Sequence, residues 1–281
     1  MKILFLHLSD LHIKTQAAIS KQHIDKILDT LRVYNNFDEM ILVFSGDIAF
    51  SGTIDQYRVG SSIVARIFRE IKEKNIFNKR IEMICVPGNH DIEYETPPRS
   101  SKDLNKIYNE YSYGKYLSEE LEKQNNFFEF SKRSHCFCNK SVFDRKIISY
   151  NGFKIEVNMI NSAVFSLMKE EDKGLHYIEQ SAINELNMPS GAEFVVSVMH
   201  HAPEWYIDAQ KNQIETALLC KSSLIFQGHE HKAGAKNCSY NDRAAAVIHT
   251  GGALCNDSDW TKSEFEVSIL NTETLDYSVT L

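Results

Sequence analysis

Residues 86–91, Val-Pro-Gly-Asn-His-Asp (VPGNHD), stand between the apolar run IEMIC at 81–85 and the polar stretch EYETPPRSS at 93–101. Pro87 and Gly88 favour a turn at the end of a strand. An amide, an imidazole and a carboxylate then follow on three successive residues, and each carries hydrogen-bonding groups that need partners. The stretch therefore predicts a strand that ends in a binding loop.

The segments before this loop alternate between strand and helix patterns. Strands are predicted at 2–8, 40–44 and 81–86, and helices at 20–34 and 56–74. This alternation is typical of βαβ units, in which crossover helices join parallel strands.

The rest of the chain is predicted to contain a helical insertion and a second group of strands. Residues 93–146 are polar and aromatic, and we expect them to be mostly helical. Because the late strands lie close together in sequence, they predict a second, more antiparallel sheet packed on the first. These strands are predicted at 147–150, 153–160, 194–199, 223–227, 244–249, 265–270 and 276–280, with a helix at 177–187.

Composition limits the functional classes. The chain has 281 residues, of which 43% are hydrophobic, and no apolar run long enough to span a membrane. The N-terminus lacks the features of a signal peptide, so a cytoplasmic location is expected. The net charge of −7 argues against a surface built to coat nucleic acid. The six cysteines, including Cys255, are scattered, so neither a disulfide framework nor a zinc finger is expected.

Five polar clusters each follow an apolar run. Ligands gather at the carboxyl edge of parallel strands, so these distant clusters are expected to converge on one place. Residues two apart in extended chain point to the same side, so Asp10 can act with His12, and His229 with His231. The clusters are Asp10-Leu11-His12, Gly46-Asp47, Gly88-Asn89-His90-Asp91, His200-His201 and Gly228-His229-Glu230-His231.

The side chains in these clusters indicate a site for divalent metal ions. Imidazoles, carboxylates and an amide oxygen suit Mn, Fe or Zn and do not suit a soft thiolate site. The ligands suffice for two ions if Asp47 bridges them, and two ions can hold both oxygens of an in-line phosphoryl displacement. The seven candidate ligands are Asp10, His12, Asp47, Asn89, His200, His229 and His231.

In this order, the motifs DLH, GD, GNHD, HH and GHEH resemble those of the calcineurin-like metallophosphoesterase superfamily, over nearly the whole chain from Asp10. The resemblance implies an α/β fold, a two-sheet αββα sandwich formed by one domain at 1–281, with a helical cap inserted at about 93–146. It also implies a dinuclear site, for which we expect Mn first and Fe, Zn, Ni or Co as alternatives. The implied ligands are Asp10, His12, Asp47 and His231 for one ion, and Asp47, Asn89, His200 and His229 for the other.

The remaining polar residues of the clusters and the other histidines can also be given roles. The resemblance implies that His90 is the catalytic histidine and not a ligand, and its imidazole can protonate a leaving oxygen. Asp91 is expected either to fix an imidazole or to cap the turn. His201 is expected to contact substrate or to support a ligand. The other histidines are interpreted as surface or helix residues (His23, His135 and His176), a strand residue (His7) and a pocket-wall residue (His249).

Departures from the family pattern indicate the type of phosphoester. GDIAFSG and PGNHD replace the GDxVDRG and RGNHE motifs of the Ser/Thr protein phosphatases, and the phosphate-gripping arginine is absent. The sequence therefore favours a phosphodiesterase acting on a nucleotide or nucleic acid, either a nuclease or a cyclic-nucleotide phosphodiesterase. A phosphomonoesterase acting on a small metabolite is the alternative. A non-catalytic scaffold of the same fold ranks last, because it would have lost ligands.

The insertion and the wider protein leave two questions open. Aromatic residues such as Tyr111 and Phe127 alternate with lysines such as Lys115 and Lys123. They could stack bases and attract phosphates, or the aromatic residues could simply pack on the core. The motifs also resemble modules at the front of larger bacterial proteins, so further domains or partner subunits outside this chain stay open.

Overall fold

The computed structural model describes residues 1–15, 21–34, 36–94, 99–109, 113–136, 138–168, 170–240, 243–254 and 263–280. Cys255 and Tyr111 lie outside these residues, so the predictions that concern them have no structural outcome.

The described residues form eleven strands and seven α-helices. The first part contains β1 (Lys2–Leu8), α1 (Lys21–Val33), β2 (Glu39–Phe44), α2 (Ile54–Glu73) and β3 (Glu82–Cys85). The insertion contains α3 (Ser101–Asn109), α4 (Tyr113–Glu122) and α5 (Asn125–Arg133). The remainder contains β4 (Phe143–Tyr150), β5 (Phe153–Ile160), α6 (Gln180–Asn187), β6 (Phe194–Met199), α7 (Asp208–Lys221), β7 (Leu224–Gln227), β8 (Gly234–Tyr240), β9 (Arg243–Thr250), β10 (Glu266–Asn271) and β11 (Tyr277–Thr280).

Two sheets form the centre of the fold. Sheet 1 has the order β11-β10-β1-β2-β3, and sheet 2 has the order β4-β5-β6-β7-β9-β8. The pairs β1–β2 and β2–β3 are parallel, as are β5–β6, β6–β7 and β7–β9. The sheets pack face to face with helices outside, which confirms the predicted αββα sandwich.

The alternation of side chains along the strands explains the layers. In β1, Ile3 and Phe5 point into the core between the sheets, whereas Leu4 and Leu6 pack beneath the helices. Phe5 meets Phe226 of sheet 2 with 5.8 Å between ring centroids. Strands buried on both faces in this way are continuously apolar, because each of their two faces needs apolar side chains.

The last two strands correct the predicted arrangement. β10 pairs antiparallel with β1, and β11 pairs with β10, so both belong to sheet 1. The prediction that the late strands form a separate, more antiparallel sheet is wrong on this point, and the centre of sheet 2 is parallel. β4 also begins at Phe143, so the helices of the insertion end before the predicted boundary near 146.

Three aromatic residues of α5 in the insertion face the protein interior. Phe127, Phe128 and Phe130 are buried, and the rings of Phe127 and Phe130 lie 6.3 and 5.4 Å from the ring of Tyr57 on α2. The stacking hypothesis is therefore wrong for these three rings, which pack on the core. No helix described here combines the length and apolarity that crossing a membrane requires.

Candidate metal centre

The polar clusters predicted from the sequence follow the carboxyl ends of β1, β2, β3, β6 and β7. Main-chain hydrogen bonds hold the first two of these loops side by side. The amide of Asp10 donates to the carbonyl of Gly46 (3.2 Å), and the amide of His12 donates to the carbonyl of Asp47 (3.0 Å). A loop of sheet 2 meets these two loops, because Nδ1 of His200 donates to the carbonyl of Ser45 (2.7 Å), so the clusters of both sheets lie at one edge of the sandwich.

Asp10, His12 and His231 form a first group of ligand atoms. Oδ1 of Asp10 lies 3.2 Å from Nε2 of His231 and 3.8 Å from Nε2 of His12. The two imidazole nitrogens are 3.0 Å apart. An oxygen and two nitrogens at these separations can surround one cation.

Asn89, His200 and His229 form a second group. Oδ1 of Asn89 lies 3.2 Å from Nε2 of His200 and 3.2 Å from Nδ1 of His229. Nδ1 of His200 donates to the carbonyl of Ser45 (2.7 Å), so its Nε2 is left to face the group. A hydrogen bond of this kind fixes the orientation of metal-binding imidazoles in proteins.

Asp47 lies between the two groups. Its Oδ2 is 3.9 Å from Nε2 of His12 and 3.3 Å from Nε2 of His200. Its Oδ1 accepts a hydrogen bond from the amide of His90 (2.8 Å). One carboxylate oxygen therefore fixes the loop, and the other is directed at both groups.

The donor atoms fit two divalent cations. Among the described residues, the buried Oδ1 of Asp10 and Oδ2 of Asp47 accept no hydrogen bond of good geometry; each faces an imidazole nitrogen, that of His231 at 3.2 Å and that of His200 at 3.3 Å, and a buried charged oxygen is costly without a partner. Burial alone would raise the pKa of Asp47, but the facing imidazole of His200 lowers it well below its usual range, so the carboxylate stays ionised. Two buried anionic oxygens among imidazole and amide donors are what hard or borderline cations require.

The glycines of these loops allow a close approach that no other residue permits. A Cβ on Gly88 would lie 2.1 Å from Oδ1 of Asp47, and one on Gly228 would lie 2.7 Å from Nδ1 of His200. Both contacts are far shorter than van der Waals distances. The main chain therefore packs directly against the candidate ligands.

Five candidate ligands have a left-handed main-chain conformation. It costs about 1–3 kcal/mol per residue and persists only where the surroundings enforce it. Such outliers concentrate at functional sites, which agrees with the placement of these five. Their φ values are 52° for Asp10, 44° for His12, 54° for Asp47, 74° for His229 and 53° for His231.

His90 lies beside the first group. Its Nδ1 donates to the carbonyl of Phe50 (2.7 Å), and its ring centroid is 4.6 Å from that of His12. Because a carbonyl only accepts, Nδ1 carries a proton and Nε2 is the atom that can exchange one. His90 also forms a possible ligand group with His12 and Asp47, so its position alone allows either a catalytic or a ligand role.

Asp91 is bound to main-chain groups of the loops. Its buried carboxylate accepts hydrogen bonds from the amides of Gly88 (3.0 Å) and Ala49 (2.9 Å) and from the hydroxyl of Tyr57 (2.7 Å). Its described partners include no imidazole. This geometry favours the turn-capping alternative, in which Asp91 joins the loops after β2 and β3.

His201 belongs to a buried network behind the second group. Its Nδ1 lies 3.1 Å from Oγ of Ser162, and the same oxygen accepts hydrogen bonds from the amides of His200 (3.2 Å) and His201 (2.9 Å). Burial lowers the pKa of His201 well below its usual value, so the imidazole is neutral. The geometry therefore links the His201 ring and the main chain of His200 through one shared hydroxyl, which favours the supporting alternative.

The network continues through residues that the sequence analysis missed or misplaced. Nδ1 of His176 donates to the carbonyl of Ser162 (2.9 Å), and its Nε2 lies 3.1 Å from Oδ2 of Asp172. The rings of His176 and His201 are 4.2 Å apart. The interpretation of His176 as a surface or helix residue is wrong, because it is buried between Ser162 and Asp172.

Two other histidines are buried near the sheets. Nε2 of His7 lies 2.8 Å from Oγ of Ser45, on the buried side of the loops. His249, expected on a pocket wall, is instead fully buried and pairs with Glu266. Of the other two histidines interpreted as surface or helix residues, His23 lies in α1 and is buried, and His135 is exposed.

The two groups open into a cavity of about 220 Å³, which we call the metal-centre pocket. Met168 and Trp205 form its apolar wall, and Trp205 lies 4.2 Å from His229 between ring centroids. The other lining residues are Asp47, Asn89, His90, His229, Glu230 and His231.

Comparison with known proteins agrees with this geometry. A family model described as calcineurin-like phosphoesterase matches residues 3–233. A dimetal phosphatase from Danio rerio is 12% identical, with 96% of this chain and 93% of that chain covered and a TM-score of 0.50. A hypothetical protein from Thermus thermophilus is 12% identical, with 100% and 98% covered and a TM-score of 0.53. At such identities these two likenesses show the fold alone. No curated protein matches the sequence.

Proposed function

This chain belongs to the calcineurin-like phosphoesterase family of metal-dependent phosphoester hydrolases, and from this premise we propose that it is a phosphodiesterase. Its substrate is a nucleotide or a nucleic acid, hydrolysed as a cyclic-nucleotide phosphodiesterase or a nuclease would hydrolyse it. The cytoplasmic location expected from the sequence belongs to the same proposal.

The proposed centre holds two cations, with Mn as the first candidate and Fe, Zn, Ni or Co as alternatives. When bound, such a pair neutralises charge on the phosphoryl oxygens and favours ionisation of the attacking water. Asp47, with Oδ2 directed at both groups, is the proposed shared ligand. The remaining ligands are Asp10, His12 and His231 for one cation, and Asn89, His200 and His229 for the other.

The proposed catalytic residue is His90. Hydrolysis forms a bond from water oxygen to phosphorus and breaks the bond to the ester oxygen, which leaves as an alcohol after gaining a proton. The hydrogen bond from Nδ1 to the carbonyl of Phe50 leaves Nε2 free to deliver that proton. Asp91 and His201 act through the loops that they hold, and neither is assigned a contact with substrate.

The observation that favours a diester is the lining of the metal-centre pocket. Its described lining residues include neither arginine nor lysine, whereas a monoester presents a terminal phosphate that arginine commonly grips by two hydrogen bonds. Met168 and Trp205 instead offer apolar surface for an organic group. A phosphomonoesterase acting on a small metabolite remains the second candidate.

A substrate comparison tests the proposal. The Mn-loaded protein is expected to hydrolyse bis(p-nitrophenyl) phosphate with a higher kcat/KM than p-nitrophenyl phosphate. The reverse order would favour the monoesterase, and no turnover of either ester with any of the five metals would refute both. Cleavage of an oligonucleotide, compared with cyclic nucleotides, then separates a nuclease from a cyclic-nucleotide phosphodiesterase.

The His90→Ala variant tests the catalytic assignment. It is expected to keep the metal content of the wild type while kcat falls by about 10²- to 10⁴-fold, the usual contribution of a general acid. Metal content is measured by elemental analysis of the dialysed protein. Loss of one ion from the variant would instead place His90 among the ligands.

A further inference from the structure

A second cavity, which we call the side cavity, lies beside the metal-centre pocket and measures about 290 Å³. It lies between α7 and the outer face of sheet 2. Its apolar floor consists of Leu218 and Leu219 from α7 and Ile225 and Ile248 from the sheet. Ile225 and Ile248 face outward here, because their strand neighbours pack into the core between the sheets.

The side cavity adjoins the candidate metal ligands through two residues. Glu230 lines both cavities, and its carboxylate accepts a hydrogen bond from Nε1 of Trp205 (3.3 Å). Trp205 in turn lies 4.2 Å from the ring of His229. Glu230 therefore lies at the boundary between the two cavities, with Trp205 beside it on the side of the metal centre.

The rim of the side cavity carries groups of both charges. Nζ of Lys173 lies 5.2 Å from the ring centroid of Trp205, and Lys236 stands on the edge strand β8. Among the described residues, no carboxylate lies within ion-pair distance of either lysine. Glu204 and Glu215 add acceptors to the same rim. The rim therefore offers donors and acceptors around an apolar floor.

This combination is typical of a small-molecule site. Such sites have mostly apolar linings with a few polar groups that fix orientation, and their volumes begin at about 300 Å³. The side cavity lies at this lower limit, so it fits one ring system and not an extended polymer. A ring with an apolar face and a polar edge, as in a nucleobase, matches both floor and rim.

We propose that the side cavity binds the second ester arm of a phosphodiester substrate, and that this arm carries an aromatic ring with hydrogen-bonding groups. The inference rests on the proposed diester activity, because a monoester has no second arm. It assigns the choice between diesters to residues outside the metal-ligand set, principally Leu219, Lys173 and Lys236.

The test compares two diesters that release the same leaving group. Bis(p-nitrophenyl) phosphate has a second aromatic arm, whereas methyl p-nitrophenyl phosphate has only a methyl group there. With Mn, the wild type is expected to favour the aromatic diester by about tenfold or more in kcat/KM, the usual contribution of one apolar pocket. The Leu219→Trp variant fills the cavity and should remove this preference while leaving the methyl diester within about twofold of the wild type.

A matched control separates the effect of filling the side cavity from the effect of adding a large side chain elsewhere in the protein. Ile76 is half-buried, as Leu219 is. It lies between α2 and the start of β3, at the opposite end of the strands of sheet 1 from the metal centre. The Ile76→Trp variant is expected to retain the preference of the wild type. A second readout avoids turnover: adenosine added to the metal-free protein should give ligand-observed NMR signals of binding with the wild type and Ile76→Trp, and weaker signals with Leu219→Trp.

The outcomes distinguish the two proposals. If the wild type hydrolyses both diesters equally well, or if Leu219→Trp keeps the preference or loses both activities alike, the ester-arm inference is overturned and the diester proposal stands. Adenosine binding that is equal in Leu219→Trp and the wild type also overturns it. If the wild type hydrolyses monoesters only, the proposed function itself fails.

Discussion

Replacing Gly88 by alanine should disrupt the metal centre through one methyl group. The added Cβ would lie 2.1 Å from Oδ1 and 2.6 Å from the backbone nitrogen of Asp47, whereas ordinary contact begins at 3.4 Å. The side chain of Asp47 can rotate away, but its backbone nitrogen cannot. The two loops must therefore separate by about 0.8 Å, the difference between 3.4 and 2.6 Å. Gly88 itself has φ of −105°, so alanine adds no conformational strain there.

The size of the effect follows from that displacement. Overpacking of this kind costs about 1–3 kcal/mol of unfolding free energy, and a misplacement near 1 Å at a reacting centre costs about 10²-fold in rate. We therefore expect Gly88→Ala to lower the free energy of unfolding and the rate of hydrolysis, and to weaken the binding of cations. The assays are urea unfolding of the metal-free protein, calorimetric titration with Mn and turnover of bis(p-nitrophenyl) phosphate.

Gly114 provides the matched control. It lies in α4, and a Cβ added there meets no atom within 4 Å. The Gly114→Ala variant should be as stable as the wild type, or more stable by about 0.4–1 kcal/mol, with unchanged Mn binding. If Gly88→Ala also binds Mn and turns over substrate within about twofold of the wild type, the close approach of the two loops does not matter, and the argument from geometry is refuted.

Three further predictions concern residues behind the metal centre. Tyr57→Phe should lower the unfolding free energy by about 1.5–3 kcal/mol, because it removes a hydrogen bond to the buried carboxylate of Asp91; urea unfolding that matches the wild type would contradict this. Ser162→Ala should weaken Mn binding by about 10- to 100-fold, because the hydroxyl supports the loop of His200; calorimetry checks it, and unchanged affinity would exclude that role. Burial lowers the pKa of His7 to about 3, so the metal-free fold should lose stability as the pH falls from about 6.5, by up to about 1.4 kcal/mol per pH unit. In the His7→Gln variant, measured by unfolding curves at several pH values, this part of the pH dependence should disappear. A pH slope identical to that of the wild type would refute the prediction.

The parts of the fold that the sequence predicted are those in which local pattern and burial agree. In α1, Ile24, Ile27, Leu28 and Leu31 recur at helical spacing, and all four are fully buried. β8 was missed because its sequence, GAKNCSY, is polar, as suits an edge strand with little buried surface. The antiparallel pairing of β10 with β1 was missed because it joins residues more than 250 positions apart, for which no local pattern exists.

The candidate site likewise contains residues that the sequence predicted and residues that it did not. Clusters of Gly, Asp and His after apolar strands identified the side chains that the structure brings together. Asp172 was missed and His176 was misplaced because neither follows an apolar strand, and Ser162 was missed because a hydroxyl was not among the ligand types considered. Ser162 nevertheless follows the end of β5, a parallel strand of sheet 2. Applying the same strand-end rule to β5 would have indicated Asn161 and Ser162.

The pairing of β1 with β10 constrains the order of events during synthesis. β1 leaves the ribosome before both of its partner strands and can pair with β2 early, but its other edge stays open until residues 266–271 have been translated. An apolar strand with an open edge is prone to mispairing and to capture by chaperones. Asp10 lies two residues after the end of this strand, so the strand that carries its loop is paired on both edges only once residues 266–271 have emerged.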